Sequence, residues 1–352
     1  MHTPRWKEIA NSISAEIDAG RLSSGDPLPS EVDLALLWQV SRVTAHRAMH
    51  ELQQQGVVVR RRRIGSVVAS QNRKKTGNVA VFLNTRDFLE QQYLSGIRTG
   101  LPDEYHLMFC DIRSDAEREA QYMDRMATEA DGILCIPTCD PQNNEVLLRV
   151  LKSGCHIVCL DCVPEDIQLD AIITDNYGAT LQALRYLTAK GHRNIAHFTV
   201  ARTSLSSVRE RFNAYKDAMN EVGSSDFERL VREFPFDLEI SPSKQALAVQ
   251  DALFTLLHRP DPPTAIFCVH DYILSSVLHA CRDMGLEIPD DLEIVSYNDC
   301  PPLEPFMPGN ISRIVQQAHE MGQLAAQKLC RKMQGEVMAP EVLRVAPVFC
   351  AG

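Results

Sequence analysis

Four consecutive arginines, Arg60 to Arg63, are the densest charged feature of this 352-residue chain. Adjacent guanidiniums repel one another, and a small domain tolerates that repulsion when a polyanion neutralises it. The run therefore points to phosphate contact more than to a merely solvated strand. Just upstream, Ser41, Arg42, Thr44, His46 and Arg47 bring hydroxyls, cations and an imidazole onto one short stretch. Such side chains serve base edges and phosphates. His46 and His50 also stand four apart, a spacing that could place two imidazoles on one metal ion. No third ligand follows nearby, so no metal is expected and the pair reads as helix surface and DNA contact.

A different chemistry is offered by Cys155, Cys159 and Cys162, at the C-x3-C-x2-C spacing that holds an iron–sulfur cluster in radical S-adenosylmethionine enzymes. A cluster needs three thiolates converging on one side of a loop, whereas Ile157 to Leu160 is an apolar run that would bury Cys159 in a sheet. An enzyme is thus the minor reading. The chain lacks G-x-G-x-x-G, the P-loop and G-x-S-x-G, so no cofactor is predicted. The 11 cysteines are odd in number, and the first 20 residues hold no signal-peptide core. The thiols therefore read as reduced and the protein as cytoplasmic. No run approaches 18 apolar residues, so no membrane partner is expected.

These residues need elements to hold them. Trp6, Ile9, Ile13 and Ile17 recur at three- and four-residue spacing and predict an amphipathic helix closed by Gly20. Ser23 to Pro29 is a turn, after which Ser30 is placed to cap a short helix with Leu34, Leu37 and Trp38 on its apolar face. Ser41 is placed to cap a third helix. On it Val43, Ala48, Met49 and Leu52 are expected to face inward, and Arg42, Thr44, His46 and Arg47 outward. The next residues predict two β-branched strands around a tight turn from Arg62 to Gly65. Three helices and a hairpin make a winged helix-turn-helix, whose third helix is shaped for the major groove.

This head resembles the gluconate-repressor (GntR) family over residues 3 to 69. The resemblance is carried by G-D-P-L-P-S-E-V-D-L-A at Gly25 to Ala35, V-S-R-V-T-A-H-R-A at Val40 to Ala48 and I-G-S-V-V at Ile64 to Val68. It implies DNA contacts from Ser41, Arg42, Thr44 and His46, with close approach at Gly65. Arg47, Arg60, Arg61 and Arg62 are added as phosphate contacts. After L-P-S-E the family commonly carries a DNA-contacting Arg; this chain has Val32. Charge agrees with the assignment: residues 1 to 76 hold 12 Lys/Arg against 7 Asp/Glu, and the remainder 24 against 39. A basic head on an acidic body presents only the head to a polyanion.

Residues 70 to 77 are polar and basic without periodicity and read as a linker between a domain of residues 1–69 and one of residues 78–352. Beyond it, apolar runs at 79–83, 105–110, 132–136, 156–160, 171–174, 194–200, 265–269 and 293–297 alternate with helical patterns. Continuous apolar strands separated by helices imply parallel sheets covered on both faces, with ligands at the carboxyl ends of the strands. The fold class is therefore α/β: a winged helix-turn-helix followed by a two-lobed parallel domain.

The second domain resembles the sensor of the lactose-repressor (LacI/GalR) family, which shares its fold with periplasmic sugar-binding proteins. The motifs are D-N-Y-G-A at Asp175 to Ala179, L-T-A-K-G-H-R-N-I-A at Leu187 to Ala196, R-E-R-F-N-A-Y at Arg209 to Tyr215, H-D at 270 to 271, M-G-L-E-I-P-D-D-L-E-I-V-S-Y-N-D at 284 to 299 and I-S-R-I-V-Q-Q-A-H-E-M-G-Q-L-A at 311 to 325. A GntR-like head on such a sensor is an architecture of the arabinose-repressor type. The resemblance implies three passages between lobes, near residues 173, 316 and 344, and a homodimer. It implies effector contacts from Asp87, Phe88, Asp161, Arg211, His270, Asn298 and Gln316. The function it implies is a repressor that binds double-stranded operator DNA and a small polar effector. A sugar or sugar derivative is the first choice and a nucleobase or other metabolite the alternative.

Overall fold

The computed structural model describes residues 4–18, 21–22, 25–54, 57–61, 64–68, 75–83, 87–201, 204–224, 226–235, 242–297 and 311–352. Arg62 and Asn298 lie outside them, and for Arg61 only the backbone is described.

The head is built from α1 (Arg5–Asp18), α2 (Glu31–Leu37), α3 (Arg42–Gln54) and a hairpin of β1 (Val58–Arg61) and β2 (Gly65–Val68). Ser30 caps α2 in a reciprocal box, its hydroxyl accepting from Asp33 N at 3.2 Å while Asp33 Oδ2 takes the Ser30 N–H at 3.3 Å. Ser41 Oγ accepts from Thr44 N at 3.2 Å and opens α3. In the hairpin Val58 opposes Val68 and Arg61 opposes Gly65, whose φ of +99° suits the turn because glycine has no Cβ to clash. Ile9, Ile13, Leu34, Met49, Leu52, Val58 and Val68 close one core.

Two expectations for this core are corrected. The buried stripe of α3 runs through Ala45, Ala48, Met49 and Leu52. Val43 precedes Ala45 and Ala48 by two and five residues, which at about 100° per residue turns it to the opposite side. There it is 76% exposed. Leu37 is also exposed, because the seven-residue α2 buries Leu34 alone.

Beyond residue 77 the chain forms two lobes. The first is built by β3 (Asn78–Phe82), α4 (Phe88–Gly100), β4 (His106–Cys110), α5 (Ala116–Glu129), β5 (Gly132–Cys135), α6 (Asn144–Lys152), β6 (His156–Leu160) and β7 (Asp170–Thr174). The second takes α7 (Asn176–Ala189), β8 (Ile195–Val200), α8 (Ser206–Glu221), β9 (Val231–Phe234), α9 (Pro242–Leu257), β10 (Ala265–Cys268), α10 (Asp271–Met284), β11 (Glu293–Tyr297) and β12 (Ser312–Val315). The chain returns to the first lobe for α11 (Ala318–Met333) and β13 (Val342–Val345) and ends in the second with β14 (Val348–Cys350). The sheet orders are β4-β3-β5-β6-β7-β13 and β9-β8-β10-β11-β12-β14. All pairings are parallel except β12 with β14. In both sheets the strand order reverses beside the first strand, which opens a crevice at the carboxyl ends.

Helix α4, which carries one wall of that crevice, is pressed onto α11. A Cβ on Gly96 would collide with the His319 carbonyl, and one on Gly322 with the Tyr93 carbonyl. Glycine at both positions lets the backbones approach, and that approach fixes where the N-terminus of α4 points. A second anchor is Asp170, fully buried between Lys328 at 3.2 Å and Lys332, with Glu341 N donating at 3.1 Å. It ties β7, α11 and the start of β13 together.

Candidate functional site

The described part of the head presents a basic helix face. Ser41 Oγ and Thr44 Oγ1 lie 2.8 Å apart, so these hydroxyls engage each other as well as the helix start. His46 Nδ1 stands 3.0 Å from Glu31 Oε1. The His46 hydrogen bond lowers the Glu31 carboxyl below its ordinary range, and the positive charges of Arg60 and Arg42 add to this against the opposing effect of burial. These four residues therefore gather where α2, α3 and β1 meet. The Arg47 guanidinium lies over the Trp6 ring at 4.7 Å, a cation–π contact that holds it out from α3. His46 and His50 have ring centroids 6.3 Å apart. Among the described residues no group of three or more His, Cys, Asp or Glu side chains could hold a metal ion.

The three cysteines at iron–sulfur spacing each meet a different partner. Cys155 Sγ is 3.2 Å from the Ala130 carbonyl, Cys159 faces Cys135 at 4.0 Å across β5 and β6, and Cys162 Sγ is 3.4 Å from the Pro137 carbonyl. The neighbouring Cys139 and burial hold the Cys162 thiol well above the usual range, and Cys135 is raised likewise by Cys159 and burial. Such thiols are inert packing groups.

A second candidate site is the crevice between the lobes, a cavity of about 90 Å³ that opens to solvent. From the first lobe α4 contributes Asp87, Glu90 and Tyr93, at the three-residue spacing that keeps side chains on one helix face, and the loops after β5 and β6 contribute Thr138 and Asp161. The second lobe supplies Ser207 and Arg211 from α8 and His270 from the end of β10; Gln316 comes from the passage between lobes. Phe88, expected at this wall, is absent from it: α4 starts there, and Asp87 and Leu89 line the crevice instead.

Each polar group has a defined hold. Asp87 caps α4 by accepting from Leu89 N at 2.8 Å, and its Oδ2 lies 3.6 Å from His270 Nε2. His270 Nδ1 is 2.7 Å from Asp271 Oδ1. Burial disfavours charge on this ring, but Asp271 and then Asp87 outweigh it and raise the pKa to about 10. Asp161 sits at φ +63°, its carboxylate 3.5 Å from Tyr93 OH and 3.3 Å from Ser207 Oγ. Burial raises its pKa while Arg211 and Ser207 pull it down. Arg211 is buried, donating from Nε to Asn176 Oδ1 at 2.9 Å and from Nη1 to the Val269 carbonyl at 2.8 Å, with its plane 3.6 Å above the Tyr297 ring. Gln316 Oε1 accepts a short bond from Thr174 Oγ1.

Several of these groups carry no mark of their own in the sequence. Tyr93 and Glu90 follow Asp87 at helical spacing, and Asn176 lies inside the D-N-Y-G-A motif, so these three had a usable signal. Glu119 had none: it is buried in α5, bonds Thr138 at its backbone and hydroxyl, takes Asn143 Nδ2 at 2.7 Å, and so shapes the loop that carries Thr138 to the crevice.

Comparison with known proteins finds matches in both parts of the chain. Residues 6–68 match the family of bacterial regulatory proteins, gntR family, and residues 184–351 match the periplasmic binding protein-like domain. The chain is 24% identical over 242 residues to the HTH-type transcriptional regulator KdgR of Bacillus subtilis, covering 68% of each chain. It is 22% identical over 311 residues to the arabinose metabolism transcriptional repressor of Geobacillus stearothermophilus, covering 84% of this chain and 82% of that one. Among solved structures it resembles transcription regulator CcpA of Lactococcus lactis, with a TM-score of 0.66, 21% identity and coverage of 79% of this chain and 98% of that one. It also resembles a transcriptional regulator CelR–cellobiose complex, with a TM-score of 0.66, 20% identity and coverage of 92% and 99%.

Proposed function

We propose that this ligand-responsive DNA-binding regulator, a GntR-family helix-turn-helix fused to a periplasmic-binding-protein-like domain, senses a small sugar or sugar derivative and acts as a homodimeric repressor on a palindromic operator. Residues 1–69 are the DNA-binding unit, 70–77 the linker and 78–352 the sensor and dimerisation unit. The observation that carries the reading is the crevice itself, where donors and acceptors from both lobes converge on one space. Pockets of this kind orient a polyhydroxylated ligand by a few placed polar groups on apolar walls. Relatives named for arabinose metabolism and for the ribose operon support the sugar class. The chain carries out no catalysis on this reading and needs no cofactor or metal. It works in the cytoplasm; no helix among the described residues is long and apolar enough to cross a membrane.

The mechanism follows from contacts that span the lobes. Besides Asp87 with His270 and Asp161 with Ser207, Val163 N donates to Ser206 Oγ at 3.0 Å, Arg209 pairs with Glu165 at 2.8 Å and Arg344 with Glu210 at 2.7 Å. These bonds exist only while the lobes are together. An effector that bridges Asp161 and Arg211 adds to the closed arrangement alone and shifts the population toward it. Lobe orientation sets the spacing of the paired heads, so operator affinity follows effector occupancy.

The test is a thermal-shift screen of neutral sugars, sugar acids and nucleobases, followed by titration of operator affinity with each compound that stabilises the protein. A sugar that both raises Tm and changes operator affinity is the expected result. A response confined to nucleobases would replace the sugar assignment.

A further inference from the structure

We propose that Val43 reads the 5-methyl group of a thymine in each operator half-site. The inference rests on α3 being the DNA-reading helix. At 76% exposure Val43 is the most exposed large apolar side chain among the described residues. It sits on the first turn of α3, and the helical repeat brings Arg47 and His50 onto the same outward face, with Ala45, Ala48, Met49 and Leu52 behind. The exposed residues of α3 include Arg42, His46, Arg47 and His50 and no carboxylate, so the face suits a polyanion.

Its neighbours leave Val43 prominent. The Ser41 and Thr44 hydroxyls engage each other, His46 is held by Glu31 and Arg47 lies over Trp6. Val43 has no hydrogen-bonding group, and a β-branched residue on a solvated helix face loses side-chain freedom without burying its surface. Burial against a partner removes that disadvantage. In the major groove the apolar feature of the base edges is the thymine methyl, and residues at the start of a recognition helix are the ones that reach base edges. A basic face with an exposed apolar side chain on its first turn therefore fits DNA with a thymine at a fixed step.

The experiment uses the full-length protein to select a preferred duplex from a random library at low salt. Each thymine of the selected half-site is then replaced by uracil, which keeps base pairing and removes only the methyl. A replacement in one half-site alone is expected to weaken binding by about fourfold, corresponding to the ~0.8 kcal/mol of burying one methyl-sized group. Val43→Ala should bind the thymine and uracil duplexes equally, while Val43→Thr, which retains a methyl, should keep part of the difference. If no uracil replacement weakens the wild type, or if Val43→Ala keeps the full difference, the assignment is overturned and Val43 faces something other than a base. Failure to bind any duplex would overturn both this inference and the DNA-reading role of α3.

Discussion

Across the crevice, Asp87 of the first lobe and His270 of the second face each other with Oδ2 and Nε2 3.6 Å apart. Asp271 Oδ1 stands 2.7 Å from the other ring nitrogen, which also receives the Tyr272 N–H at 3.2 Å, so each nitrogen of His270 meets a carboxylate. Two nearby groups bear on the same space: Asp161 favours the charged imidazole, and the buried Arg211 faces Asp161 from α8. The pair is thus a polar latch between lobes, on the wall of the crevice.

The latch has a defined pH dependence. The pKa of His270 rises from the ordinary 6.5 to about 10 in the folded protein. A raised pKa means its contribution is complete below about 6.5 and is lost as pH climbs through about 10. Each pKa unit corresponds to ~1.4 kcal/mol, so even half of the shift amounts to roughly 2 kcal/mol. The Tm of wild type minus that of His270→Gln should therefore shrink steadily from pH 7 to pH 10. A constant difference over that range would show that the imidazole is not held charged.

The seam between α4 and α11 predicts an unusual sign. Glycine to alanine in a helix interior normally stabilises by about 1 kcal/mol. At Gly96 or Gly322 the added Cβ would strike a backbone carbonyl of the facing helix, which cannot rotate aside. Either alanine should instead destabilise by about 1 to 3 kcal/mol. Because Tyr93 and Asp87 ride on α4, effector affinity should fall in the same variants. Unchanged chemical denaturation midpoints would refute the close approach.

Much of this architecture was legible because it is written in local pattern. The runs at 156–160 and 293–297 coincide with β6 and β11, since fully buried parallel strands are continuously apolar. Other strands lacked that pattern: β9, β12 and β13 carry Arg232, Arg313 and Arg344, and β14 has only three residues, so none forms an apolar run. Ser30 and Ser41 announced their helices because a cap is chemistry at fixed spacing. Val43 misled because hydrophobicity alone does not set helix phase; Ala45, less apolar, holds the inward position. In the crevice, residues within motifs could be named, whereas Glu119 acts through a loop 19 or more residues away and left no trace.

On the DNA side, base reading and phosphate attraction should separate by salt. If Arg42 reads a base as proposed, Arg42→Ala is expected to cost about 1 to 3 kcal/mol while relaxing preference at one base pair. Neutralising Arg60 and Arg61 to glutamine should weaken binding to every duplex. The slope of log affinity against log salt should become shallower by about 0.9 for each phosphate left unneutralised. Filter binding over a range of salt reads both quantities. Wing variants with wild-type affinity and slope would show that these arginines do not meet phosphate.

The last prediction concerns Arg211, which serves two structures at once. Its Nε and Nη1 bond Asn176 and the Val269 carbonyl within the second lobe, while the guanidinium faces Asp161 of the first lobe and the effector space. Arg211→Ala should therefore leave buried acceptors unpaired and lower the stability of the sensor by about 1 to 3 kcal/mol. Its effect on sensing should be larger, because losing a charged donor to a buried polar partner typically costs about 2 to 5 kcal/mol and carries the required effector concentration out of range. Operator binding in effector-free buffer should survive, since the head has its own core in Ile9, Leu34, Met49 and Leu52. Arg211→Lys separates the roles: it keeps the charge opposite Asp161 but loses the fork that holds Asn176 and Val269 together. Operator affinity is titrated against effector for wild type and both variants, with Tm recorded alongside. An undiminished response in Arg211→Ala would place the sensing site away from this crevice.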